Sequence, residues 1–177
     1  MASMDYAFKI IKNKETSYIG GWSTDYDDVK YEAIHEIIDN NGKVPEDTNI
    51  CMYDLDYIIE DKYIGCVIDF DQKTIKLGHS FTIRTLEETG NFYNGYVEED
   101  GKYYISFEDD EEPSERELVQ DEIKIKKEYL RKTEYTFDEF KKMYEETQPL
   151  LDYYNKNCIR FFFFEGKVIE LGISYFA

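Results

Sequence analysis

Short apolar runs at strand spacing and longer stretches at helical spacing divide the chain into elements. Residues 6–12 (YAFKIIK) form a β-prone run closed by the polar Asn13-Lys14-Glu15. Residues 16–22 are expected to pair back on it, with Gly20-Gly21 marking a bend or bulge. A helix is predicted over 25–40, because Val29, Ala33, Ile34, Ile37 and Ile38 recur at helical spacing and Asn41-Gly42 offers a left-handed stop. Beyond Pro45 lies a β-rich middle with strands predicted over 50–59, 63–70, 74–77, 81–86, 92–97 and 103–107. Asp71-Gln72 and Asp100-Gly101 suit the hairpin turns between them.

The pattern then changes. Ser114 and Glu117 fit a capping box opening a helix to about residue 132, and Thr136 and Glu139 fit a second. The later helix carries Phe137, Phe140, Met143 and Tyr144 on one side, and Pro149 is expected to kink it or start a new turn. A closing hairpin is predicted from 159–164 and 167–175, turning at Glu165-Gly166. There is no internal repeat and no linker rich in Gly, Pro or Ser. The expected fold is a single α+β domain, an antiparallel β-sheet with three or four helices packed on it. Residues 1–3 read as a cloning scar, which leaves 4–177 as the domain.

Composition narrows the function. In 177 residues, 39 acidic side chains against 21 basic ones give a net charge of -18. Direct nucleic-acid binding is not expected, since it depends on neutralising phosphates with Lys and Arg, and anionic membrane surfaces would repel the chain. Disorder is opposed by the 42% hydrophobic and 17% aromatic content. No run approaches the roughly 18 apolar residues of a membrane span and no signal peptide is evident, so a cytoplasmic location is expected. Cys51, Cys66 and Cys158 are scattered and without a C-x-x-C, which favours free thiols over a zinc site.

The charge is unevenly placed. Residues 25–71 hold 14 acids and 3 bases, and residues 98–122 hold 12 acids and 2 bases, so the remainder is slightly basic. In the first block Asp25, Asp28, Glu32, Glu36 and Asp39 are spaced 3, 4, 4 and 3. On a helix they fall within an arc of about 80° and span about 21 Å, one carboxylate every 5 Å or so. That is of the same order as the ~3.4 Å phosphate spacing of a DNA strand. A solvated face would ordinarily mix signs at i,i+4, whereas this stripe contains no cation. Asp54/Asp56 and Asp69/Asp71 add strand-spaced pairs. The second block includes the run Glu108, Asp109, Asp110, Glu111 and Glu112. Tyr26, Tyr31, Tyr53 and Tyr57 are expected to be exposed and to act as rigid anchors within the charged field.

Catalytic constellations are sparse. His35 and His79 are the only histidines; no G-x-S-x-G or P-loop is present, and no acidic run has EF-hand spacing. Acid-x-Lys pairs of the metal-nuclease kind recur throughout so acidic a chain and are therefore uninformative. Neither a metal nor another cofactor is expected.

These residues point to a non-enzymatic acidic inhibitor that binds the basic surface of a nuclease or other nucleic-acid-binding protein, partly mimicking nucleic acid. A phage antagonist of the anti-CRISPR or anti-restriction type is the first expectation, and an immunity protein for a basic nuclease toxin the second. From other classes, a small carboxylate- or metal-dependent hydrolase and a structural subunit that dimerises through its aromatic surface stand as alternatives. The expected partner-binding residues are Asp25, Asp28, Glu32, Glu36, Asp39, Asp54, Asp56 and Glu108–112, with Tyr31 and Tyr53.

Overall fold

The computed structural model describes residues 6–22, 29–43, 51–78, 82–85, 96–99, 102–105, 117–118, 125–157, 161–164 and 167–170. The opening hairpin is β1 (Tyr6–Lys12) and β2 (Glu15–Trp22), joined at Asn13 and Lys14. Both turn residues have positive φ, 51° and 63°, as the twist of a two-residue hairpin demands. Helix α1 (Val29–Asp39) follows, then β3 (Cys51–Asp54), β4 (Ile64–Asp69) and β5 (Thr74–Leu77). β6 (Arg84–Thr85), β7 (Tyr96–Glu99), β8 (Lys102–Ile105) and β9 (Glu117–Leu118) are short. β10 (Glu134–Thr136) leads into α2 (Phe137–Asn157), and β11 (Phe161–Phe164) and β12 (Lys167–Glu170) close the order.

Six strands make the main sheet in the order β10-β5-β4-β1-β2-β3. It is mixed rather than antiparallel, because β4 lies parallel to β1, with Phe8 beside Cys66 and Ile10 beside Ile68. β11-β12-β6 and β7-β8-β9 form two small antiparallel sheets. The α+β class holds, but the described residues contain two α-helices, not three or four. Residues 117–118 of the predicted 114–132 helix are β9, and 127–129 are a single 3-10 turn. Ile83 bridges Leu130 and accepts a hydrogen bond from the Arg131 N–H at 2.9 Å, so this stretch follows the sheet.

Side-chain alternation puts Phe8, Ile10, Ile19, Cys66, Ile68, Ile75, Leu77 and Tyr135 on one face, all buried. Both helices contribute to the core on that face. α1 buries Tyr31, Ala33, Ile34, Ile37 and Ile38, and α2 buries Phe140, Met143, Thr147 and Leu150. The rings of Tyr31 and Tyr135 lie 6.3 and 5.8 Å from that of Phe140. α1 ends as its sequence predicts: Asn41 has φ 57°, and the Gly42 N–H reaches back to the Ile37 carbonyl at 2.8 Å. α2 starts as predicted too, with the Glu139 N–H donating to Thr136 Oγ1 at 3.1 Å, and it runs through Pro149 without a break.

The segment between β3 and β4 crosses the sheet. β3 ends at Asp54 opposite Ile19, and Ile19 is opposite Phe8, while β4 begins at Ile64 opposite Ala7. The chain thus leaves the edge and re-enters the sheet at one level, three strand spacings or about 14 Å away. It crosses on the face opposite the helices, since Asp61 lines a hollow with Lys9, Val67 and Lys76 of that face. Ile59, 5% exposed, and Ala7, 0% exposed, are buried outside the main core cluster. The Leu55 N–H bonds the Tyr18 carbonyl at 2.9 Å, which fixes the start of this strap.

Candidate acidic interface

The sequence-predicted acids do not share one fate. Glu32 is exposed on the first turn of α1 and has no ion pair among the described residues. Glu36, one turn on, is half-buried, and its Oε2 is buried with no hydrogen-bond partner. Burial, reinforced by the neighbouring Glu32 charge, holds its carboxyl above the ordinary glutamate range. Asp39 is compensated: its Oδ1 meets Lys141 Nζ of α2 at 2.6 Å and its Oδ2 meets His35 Nδ1 at 3.3 Å. The Lys141 hydrogen bond is the largest influence and holds the Asp39 carboxyl below its usual range. The stripe is therefore cation-free in sequence but not in space. Asp25 and Asp28 lie outside the described residues, as does Glu108–112.

Asp54 and Asp56 are exposed and carry no ion pair among the described residues. Asp69 and Asp71 have structural work instead. Asp69 Oδ1 accepts the N–H groups of Asp71 and Gln72 at 2.9 Å each. Asp71 accepts those of Asn13 and Lys14 at 2.8 and 2.9 Å, which ties the β1–β2 turn to the β4–β5 turn.

The tyrosines divide as well. Tyr31 is not an exposed anchor: at 3% exposure it belongs to the core, because it falls on the same helical side as Ile34 and Ile38. The i,i+3,i+7 spacing was the signal that could have found this. Tyr53 and Tyr57 are exposed, at 37% and 61%. Tyr26 lies outside the described residues.

His35 stacks on Tyr144 with ring centroids 4.7 Å apart, and His79 lies outside the described residues. Among the described residues no group of three His, Cys, Asp or Glu stands together as a metal site. Cys66 is a free thiol, and burial pushes it well above the ordinary thiol range. A cleft of about 750 Å³ between the turn-bearing sheet end and α2 is lined by Lys12, Lys73 and Lys141 but also by Asp71 and Asp138, so its charges are mixed. No described helix is long and apolar enough to cross a membrane. Comparisons with protein-family models, curated proteins and solved structures found no match for this chain.

Proposed function

We propose that the protein is a non-enzymatic acidic inhibitor that occupies the basic surface of a nucleic-acid-handling protein, in the manner of a phage antagonist of host defence. The observation that carries this reading is the uneven compensation of charge on one scaffold. Three of the five cations between 126 and 141 are committed to internal pairs, Lys126 with Glu146, Lys132 with Glu139 and Lys141 with Asp39. Glu32, Glu36, Asp54 and Asp56 are left without a counter-charge among the described residues, and Glu32 and Glu36 repel one another. Folding does not require that repulsion; a partner supplying Lys and Arg relieves it and gains fast, salt-sensitive association.

The test is capture of partners on the immobilised protein at low salt, with elution by salt, followed by kinetics on the captured protein. Glu32→Lys/Asp54→Lys/Asp56→Lys is expected to slow association about tenfold or more and to leave the thermal midpoint nearly unchanged. Unaltered association would remove these acids from the interface and this reading with them. Whether the captured protein is a defence nuclease or a nuclease toxin separates anti-defence from immunity.

A further inference from the structure

Among the residues whose side-chain burial is described, the exposed large apolar side chains fall within one stretch of eleven: Tyr53 (37%), Tyr57 (61%), Ile58 (84%) and Tyr63 (47%). Exposed apolar residues scattered singly need no explanation, but adjacent ones such as Tyr57 and Ile58 at the middle of this strap form a contiguous surface. The strap that carries them is held from below. Leu55 is bonded to Tyr18, Ile59 is buried and Ile64 is already in β4, so Tyr57 and Ile58 stand outward between fixed points. A backbone anchored this closely loses little freedom when its side chains are covered.

The surroundings select the occupant. Asp54, Asp56, Glu60 and Asp61 are all exposed on this stretch, against the single cation Lys62, with Lys9 and Lys76 of the sheet face beneath lining a hollow beside Asp61. Lys62 is committed locally, 2.9 Å from Glu60 Oε2 and 4.9 Å from the centre of the Tyr63 ring. A second copy of this chain would set acid against acid around the apolar centre. A basic protein would set Lys and Arg against the rim. An apolar centre within a charged rim is the usual anatomy of a protein interface.

We propose that the strap from Tyr53 to Tyr63 is the apolar anchor of the inhibitor, with Tyr57 and Ile58 entering a pocket on a basic partner protein whose Lys and Arg side chains surround it. This rests on the function proposed above and adds to it: Asp54 and Asp56 beside the strap steer the encounter, Glu32 on the other face of the sheet adds to the field only at a distance, and these two side chains hold the complex.

Two short synthetic peptides serve as probes, both rich in Lys and Arg, one with a central pair of leucines and the other with serines there. Binding is followed by amide chemical shifts and by titration. The leucine peptide is expected to shift Tyr57, Ile58 and Tyr63 and to keep binding at salt that releases the serine peptide. Tyr57→Ser/Ile58→Ser should weaken the leucine peptide about tenfold or more, with the serine peptide and the thermal midpoint unchanged. If both peptides shift Glu32, Asp54 and Asp56 equally and leave Ile58 untouched, the anchor is overturned while the acidic-inhibitor reading stands. If neither peptide binds, both fall. Shifts at Tyr57 and Ile58 that depend on protein concentration without peptide would assign the strap to self-association and overturn the proposal.

Discussion

α1 and α2 lie on the same face of one sheet and share the ring cluster of Tyr31, Phe140 and Tyr135, yet Glu36 of α1 sits in the opposite charge environment to Glu139 and Glu146 of α2, while Asp39 at the end of α1 is paired with Lys141 of α2. On α2, Glu139 bonds Lys132 at 2.8 Å, and Glu146 takes Lys126 at 2.8 Å together with the Tyr129 hydroxyl. These partners hold both carboxyls below the ordinary glutamate range. On α1, Glu36 is pushed the other way by burial and by Glu32. Acid content alone therefore says nothing about purpose; the arrangement of cations around it does. Paired acids such as Asp39, Glu139 and Glu146 tie the helices into the scaffold, whereas the Glu32–Glu36 turn of α1 carries self-repulsion.

The shared core sets the largest expected effect. Phe140→Ala removes a ring with no exposure that both helices pack around, and it should lower unfolding free energy by about 3–5 kcal/mol in chemical denaturation. Loss confined to α2, read by amide exchange, would break the picture of one core beneath two helices.

Next in size is alkaline unfolding. Burial is the first cause that holds the hydroxyls of Tyr129 and Tyr135 well above the ordinary tyrosine value. As pH rises past about 10, the unfolded chain loses protons that the native state keeps, so stability falls. Tyr135→Phe should flatten that fall, followed by tyrosinate absorbance during unfolding.

Glu36→Gln is the sharper probe of the difference between the helices. The raised carboxyl means that stability is lost as pH climbs from the ordinary glutamate value to the raised one. The amide variant should be more stable than the parent at neutral pH, by at most about 1 kcal/mol, with that slope gone. Glu139→Gln on α2 should do the reverse, because a lowered carboxyl stabilises above the ordinary value and loses this as pH falls. Lys141→Ala should have the smallest effect, a slight loss of thermal midpoint at neutral pH that vanishes once acid protonates Asp39.

Local signals carried much of this into view. The β1–β2 hairpin, α1 with its Asn41-Gly42 stop, β5 and the Thr136/Glu139 cap are all decided within a few residues. What was hidden depends on distant partners. The sequence of β4 reads as a strand but gives no direction, and its parallel seat beside β1 is set by the strap and the faces that must be buried. Residues 114–132 satisfy helix propensity and a capping box, yet Leu130 and Arg131 bond Ile83 instead. In the candidate site, Glu32, Asp54 and Asp56 are exposed as expected. The Asp39–Lys141 pair could not be anticipated, since the two residues lie on different helices. Ile58 falls within the strand predicted over 50–59, but β3 stops at Asp54 and residues 55–60 form the strap, whose exposure depends on how it crosses the sheet rather than on local periodicity.

The parallel seat of β4 also sets a timetable. β1 is a central strand whose second neighbour begins at Ile64, so about fifty residues must be synthesised after Lys12 before both its edges are paired. At ribosomal rates of about 5–20 residues per second that interval lasts roughly 3–10 s. During it the β1–β2 hairpin presents Phe8 and Ile10 beside an open edge, a template for pairing with another chain. The acid-rich stretch from 25 to 61 is made in just that window, and like charges of this density oppose the pairing of two such chains at the open edge.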